Sequence, residues 1–264
     1  METAGYIASV LIGISLGLIG GGGSILTVPV LVYLFSVDAV MATAYSLFIV
    51  GTTSLVGSFS SFRKGLVNIR TAIEFGVPSI TAVFLTRAYI LPAVPDHLFN
   101  AGSLTITKSI MLLLLFAFLM IAASYGMIRK RKPKEGTTPN RKFHTPLILL
   151  EGSIVGVLTG MVGAGGGFLI IPALVLLSNL PMKEAVGTSL VIIAAKSLIG
   201  FMGEGALGMF DWNFLFIITS FAILGIIIGS RLSGKINGDQ LKPVFGWFTL
   251  LIGVYMIIRE TIMK

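Results

Sequence analysis

Apolar segments long enough to cross a bilayer recur along the whole chain, which limits it to a polytopic α-helical membrane protein. The clearest lie at about 39–62, 70–91, 104–128, 183–203, 212–233 and 242–259. At about 1.5 Å per residue, each approaches the length that a hydrocarbon core of about 30 Å demands. Composition agrees: only 11% of residues are charged, where a soluble globule carries about 25%. The chain has no cysteine, which excludes disulfides and thiolate chemistry. His97 and His144 fall in expected loops, so no histidine within a span can serve as the base of a nucleophilic hydroxyl. No phosphate-cradling GxxxxGK[ST] run is present. The sequence therefore predicts neither an enzyme nor a bound cofactor or metal. Met1-Glu2-Thr3-Ala4 lacks the basic start of a signal peptide, so the N-terminus is read as mature structure.

Two apolar stretches, 5–36 and 146–179, are too long for one upright span and too short for two. Each is interrupted by glycines. They begin two copies of one pattern. A shift of 143 residues carries Gly17, Gly20, Gly22, Gly23, Leu26 and Pro29 onto Gly160, Gly163, Gly165, Gly166, Leu169 and Pro172. Ala42, Ser46, Leu47, Ser54, Leu55 and Gly57 fall on Ala185, Ser189, Leu190, Ser197, Leu198 and Gly200. Over positions 17–57 there are 16 identities without a gap, more than biased composition would produce. The expected organisation is a first transmembrane repeat at 1–128, a basic cytoplasmic linker at 129–145 and a second repeat at 146–264.

Charge decides between parallel and inverted copies. If each glycine-broken stretch crosses once, basic residues outside the spans divide 12 against 6 between the two faces; if each is a re-entrant pair of half-helices, they divide 14 against 4. The positive-inside rule prefers the second division. The expected fold is an all-α polytopic membrane protein of two inverted repeats. Each holds a Gly-broken, re-entrant helix pair and three transmembrane helices, with both termini outside. The formal net charge of +8 then marks a membrane face, and nucleic acid is not an expected partner.

Gly20-Gly21-Gly22-Gly23-Ser24 and Gly163-Ala164-Gly165-Gly166-Gly167 sit mid-stretch. Each helical glycine costs roughly 1 kcal/mol relative to alanine, so a break is expected at both. Broken backbone within a membrane is tolerated only inside protein or along a wet cavity. The half-helix after each break presents free N–H groups and the positive end of a dipole, and two such starts together form an anion site. The candidate ligands are Gly21, Gly22, Gly23 and Ser24 with Gly165, Gly166 and Gly167. Gly13 with Gly17, and Gly156 with Gly160, have the spacing of close helix packing instead.

Lys196 is the one basic residue deep in an expected span, where a lysine costs about 2.5–3.5 kcal/mol. Its repeat equivalent is Thr53, beside Thr52; Ser197 follows Lys196. Lys196 and these hydroxyls are expected to face the breaks and hold an anion; the alternative is a pair with Glu204 or Glu151, or a snorkelling lysine. Ser46 and Ser189 are further candidates, with bonding to their own helix or to a neighbouring one as the alternative. Glu74 is expected to solvate a helix end. Arg87 and Arg231, one residue out of register, read as interface anchors, with a ligand role as the alternative.

The run GLIGGGGSILTVP, the segments ATAYSL and AVGTSL in the next helix of each half, and the second copy GMVGAGGGFLIIP resemble the sulfite exporter TauE/SafE family of membrane permeases. The likeness spans roughly residues 5–258. It implies a permease moving sulfur-containing or organic anions such as sulfite, sulfonate or sulfoacetate; with no targeting segment read in the chain, the plasma membrane is the expected location. One copy reads GGGGS where the other reads GAGGG, so the two sites need not be symmetric. Few carboxylates lie at span centres, which favours export of an anion down an inside-negative potential. An anion channel with the same site, or a membrane scaffold without transport, are the alternatives. The expected partners are a small anion and the bilayer; the sequence leaves a homo-oligomer open.

Overall fold

The computed structural model describes residues 2–101, 104–128, 145–163, 166–176, 180–203, 210–233 and 238–262. The first half holds α1 (Glu2–Ile19), α2 (Gly22–Tyr33), α3 (Ala39–Arg63) and α4 (Ile69–Leu85). A π-helical turn (Thr86–Ile90), a short α5 (Leu91–Ala93), an antiparallel pair β1 (His97–Ala101) and β2 (Leu104–Thr107), and α6 (Lys108–Ile128) complete it. The second half holds α7 (Thr145–Val162), α8 (Gly167–Leu176), α9 (Met182–Met202), α10 (Trp212–Ser233) and α11 (Gly238–Ile262). The expected span at 104–128 is shortened: its first four residues pair with β1, with Ala101 opposite Leu104, and the helix begins at Lys108. The linker at 129–144 lies outside the described residues.

Among the described residues, five helical segments are long and apolar enough to cross a membrane: Ala39–Arg63, Ile69–Ala93, Lys108–Ile128, Met182–Met202 and Trp212–Ser233. Burial is arranged inside out relative to a soluble protein. Ile7, Ile73, Val77, Phe118, Phe216 and Leu251 are exposed, while Ser46, Thr53, Ser54, Arg87, Lys196 and Ser197 are buried. That distribution suits hydrocarbon outside and a polar interior, as in a multi-pass membrane protein. Helix starts between the long elements are fixed locally. Asp38 caps α3 by accepting from the amides of Val40 (2.8 Å) and Met41 (3.4 Å), and Asn68 caps α4 by accepting from that of Thr71 (3.0 Å).

Glycines set the direction of the packing. Gly13 lies on the Ala222 carbonyl and Gly17 on Ile226 and Ser230, so α1 and α10 run side by side in the same direction. In the other half Gly152, Gly156 and Gly160 lie in turn on Phe75, Ser79 and Thr86, so α7 and α4 do the same. Both glycine pairs expected to serve helix packing do so, because a missing Cβ lets backbones approach. The α3 helix runs beside α10, from the Tyr45 hydroxyl accepting the Asp211 amide (3.0 Å) to Gly57 on Ile226. Equivalent helices pair in opposite directions: Gly200 faces Leu47, Gly51 faces Leu198 and Gly57 faces Leu190 across α3 and α9. Gly246 faces Met127 and Ile128 while Gly253 faces Ala117 and Ile121 across α11 and α6.

The first glycine-broken stretch folds back on itself. Gly23 packs on Leu16 and Gly5 on the Phe35 ring, so α1 and α2 form an antiparallel hairpin whose two ends lie at one end of the bundle. The far end of α2 is fastened to α11 by the Tyr33 hydroxyl, which donates to Glu260 Oε1 (3.2 Å).

Candidate functional site

Both breaks are closed by a left-handed glycine, the usual helix terminator because it has no Cβ to strain. Gly20 (φ +76°) ends α1 and donates its N–H to the Leu16 carbonyl at 2.7 Å. Gly163 (φ +71°) ends α7 and donates to the Thr159 carbonyl at 2.9 Å. The α2 helix then starts after Gly21, with no side-chain cap. The α8 helix starts after Gly166 (φ +72°), whose carbonyl accepts the amides of Leu169 (3.0 Å) and Ile170 (2.9 Å). The amides preceding these have no acceptor within their own helix, and each start is the positive end of a dipole.

The two starts meet. Gly21 packs on the backbone of Gly167, and a methyl group on Gly167 would lie 2.5 Å from Gly21 Cα and 3.3 Å from Ser24 Oγ. Ser24 and Gly167 are repeat equivalents, so their contact lies where the two halves exchange. The Ser24 hydroxyl donates to the Gly21 carbonyl at 2.7 Å. Gly22 and Gly23 form the first turn of α2. Gly165 lies outside the described residues.

One face of α3 and one face of α9 line this meeting. Positions 43, 46, 50 and 53 are spaced for a single helical face, and so are their equivalents 186, 189, 193 and 196. Along α9, Val186 and Ser189 abut Gly20, Ile193 abuts Gly167, and Lys196 Nζ lies beside Gly166. Along α3, Thr43 abuts Gly163, and the Ser46 hydroxyl donates to the Gly163 carbonyl. The equivalent Ser189 differs: it donates to the Val186 carbonyl of its own helix at 2.9 Å. The structure thus separates two residues that the sequence treats alike.

Lys196 is 1% exposed and donates to Thr159 Oγ1 at 2.9 Å. It has no ion pair among the described residues, so the alternative pairing with Glu151 is not made; Glu204 lies outside them. Glu74 pairs with Arg70 at 2.8 Å near the start of α4, as a residue solvating a helix end would. The α3–α9 contacts centre near residues 52 and 195, where Thr52 is half-buried. Close to that level Thr53, Ser54 and Ser197 are fully buried, and their hydroxyls have no hydrogen-bond partner among the described residues. An orphaned buried hydroxyl costs about 1–3 kcal/mol; those of Thr71, Ser79, Thr86 and Thr219 are orphaned as well among the described residues.

Arg87 corrects the sequence reading. It is not an interface anchor: it is fully buried, its Nη1 donates to Thr43 Oγ1 at 3.1 Å, and its Nη2 lies against Gly163. The π-helical turn at Thr86–Ile90 takes up an extra residue and turns this side chain inward. The available signal was the repeat itself, which aligns Arg87 with Ser230 and not with Arg231.

A family model described as Sulfite exporter TauE/SafE matches residues 6–256. A "Probable membrane transporter protein" of Xylella fastidiosa (strain 9a5c) is 30% identical over 259 residues, covering 95% of this chain and 92% of that protein. "Probable membrane transporter protein YunE" of Bacillus subtilis (strain 168) is 26% identical over 265 residues, covering 96% and 97%. No solved structure matches the chain. The family and these relatives are membrane transporters and not enzymes, and on this match the chain belongs to the Sulfite exporter TauE/SafE family.

Proposed function

We propose that the protein is a secondary transporter or facilitator for small anions, sulfur-containing or organic, with export across the plasma membrane the favoured direction. The halves act as inverted repeats, 1–128 and 146–264, joined by a cytoplasmic basic linker at 129–145 and leaving both termini outside. The antiparallel pairing of equivalent helices α3 with α9 and α6 with α11 supports this arrangement. The anion is held where the half-helices meet, by backbone amides of Gly21, Gly22, Gly23 and Ser24 and of Gly165, Gly166 and Gly167. Lys196 supplies the charge; Ser46, Thr52, Thr53, Ser189 and Ser197 line the cavity.

The observation that carries this reading is the packing of Gly21 on Gly167, with the Lys196 ammonium against the adjoining Gly166. Donors converge there from two dipoles and one cation, the chemistry an oxyanion needs. Contact tight enough to exclude a Cβ supports alternating access over a standing pore. An inside-negative potential drives a monovalent anion outward with about 2.3 kcal/mol per 100 mV, so export needs no coupling ion. Flux from proteoliposomes loaded in turn with sulfite, a sulfonate, a carboxylate and chloride tests the reading. Saturable flux of sulfite or sulfonate well above chloride is the expected result; movement of none of them would remove the basis of the proposal.

A further inference from the structure

Between α4 and α9, Gly76 meets Ile192 and Val83 meets Gly200. Ser79 stands midway between the first two positions on α4, and Lys196 midway between the matching two on α9, so they lie at one level of the interface. Gly76, Val83 and Phe84 face α9, while Phe75, Ser79, Ala82 and Thr86 lie against glycines of α7. At about 100° per residue, position 79 falls between those two faces. Its side chain therefore points toward the groove where Lys196 Nζ, coming from α9, donates to Thr159 Oγ1 on α7 at 2.9 Å. Ser79 is fully buried, and its hydroxyl has no hydrogen-bond partner among the described residues. A buried cation at its own level sets it apart from an orphaned hydroxyl such as that of Thr219.

The repeat supplies a chemical comparison. Gly57 on Ile226 and Gly13 on Ala222 reproduce Gly200 on Val83 and Gly156 on Ser79, so the two halves correspond here contact for contact. A shift of 143 residues then sets Lys196, Thr159 and Ser79 against Thr53, Leu16 and Ala222, all of them buried. One set is an ammonium and two hydroxyls; the other is one hydroxyl and two hydrocarbon groups. The glycines that close the breaks repeat the contrast: Thr43 abuts Gly163, whereas its equivalent Val186 abuts Gly20.

We propose that the side chains binding the anion stand on one side, at the second break, where Lys196, Thr159 and Ser79 hold a single small oxyanion. The proposal rests on the transport reading and adds Ser79 and Thr159 as ligands, with one anion per chain in place of a symmetric pair. An oxyanion offers an acceptor to each donor: the ammonium keeps protons beyond the one directed at Thr159, and both hydroxyls can turn to donate. Ser79 breaks no bond in doing so.

Thermal unfolding in detergent with added sulfite tests the ligand role. Ser79→Ala removes an unsatisfied hydroxyl, so the midpoint of the anion-free protein should stay or rise. The sulfite concentration that gives half the maximal rise should increase about tenfold. Thr219→Ala removes an orphaned hydroxyl from the other half and should leave that concentration unchanged. Labelled sulfite should saturate at one per chain in equilibrium dialysis.

A ligand-free arm tests the geometry. Ser79→Asp sets a carboxylate beside Lys196 and should give monodisperse protein. Combined with Lys196→Met it should not, because the buried carboxylate then has no cation. Ala222→Asp, at the equivalent place near Thr53, should behave like the double variant. Ser79→Asp acting the same with and without Lys196, or two sulfites per chain, would each overturn the proposal. A native sulfite response that Ser79→Ala does not shift would overturn this site alone; no sulfite response in the native chain would remove the transport reading and the site with it.

Discussion

Gly167→Ala is the sharpest perturbation of the site, because the new methyl group would stand 2.5 Å from Gly21 Cα and 2.6 Å from Ile193 Cδ1. Ordinary van der Waals contact begins at 3.4 Å, so one break must retreat by about 1 Å from the other. Gly21 Cα is backbone and cannot rotate aside. Overpacking of this kind costs about 1–3 kcal/mol. Gly76→Ala is the control. Its Cβ would meet only Ile192 Cγ1, at 3.7 Å, inside a helix where alanine is better than glycine by up to about 1 kcal/mol. The two substitutions are chemically identical and should act with opposite sign on the midpoint of thermal unfolding in detergent, followed by tryptophan fluorescence. Proteoliposome flux of sulfite should be kept in Gly76→Ala and fall at least about tenfold in Gly167→Ala, since displacements of 1 Å at a reacting site cost on the order of 10²-fold in enzymes. A Gly167→Ala protein as stable and as active as the native chain would refute the claim that the two half-helix starts meet at the site.

Lys196→Met should leave the fold intact, because Thr159 keeps its own bond to the Gly156 carbonyl (3.3 Å) and no described carboxylate loses a partner; anion flux should fall by about tenfold or more at unchanged thermal stability. Ser46→Ala should destabilise by about 1–3 kcal/mol, since the Gly163 carbonyl loses the donor it holds across the two halves. Ser189→Ala should cost clearly less, because its hydroxyl bonds only its own helix; equal shifts in unfolding midpoint would contradict this. Gly13→Val should separate α1 from α10 by driving a branched side chain onto the Ala222 carbonyl, with loss of monodisperse protein on size exclusion as the readout.

The breaks were legible in the sequence because glycine acts locally: Gly20 and Gly163 adopt left-handed backbone wherever their neighbours lie. The 143-residue shift was legible because the halves keep the same glycines and serines. Partnership was not. Nothing near Lys196 in sequence points to Thr159, which arrives on α7, 37 residues earlier. Ser46 and Ser189 read alike, yet only Ser46 reaches across to the opposite break, a difference set by packing. Arg87 was misread because a π-helical turn is a tertiary outcome that shifts facing by part of a turn, and a neighbouring register match with Arg231 looked like symmetry. The β1–β2 pair was missed because the 104–128 segment reads as one continuous apolar run.

The central claim is that an anion is held where the half-helices meet, beside Lys196. Thermal unfolding of the detergent-solubilised protein with added sulfite, at ionic strength matched with chloride, tests it directly. Binding to the folded state at about 100 times Kd stabilises by about 2.7 kcal/mol. A saturable rise in the unfolding midpoint of the native chain that is absent from Lys196→Met is the predicted result; the same rise in both proteins would contradict it.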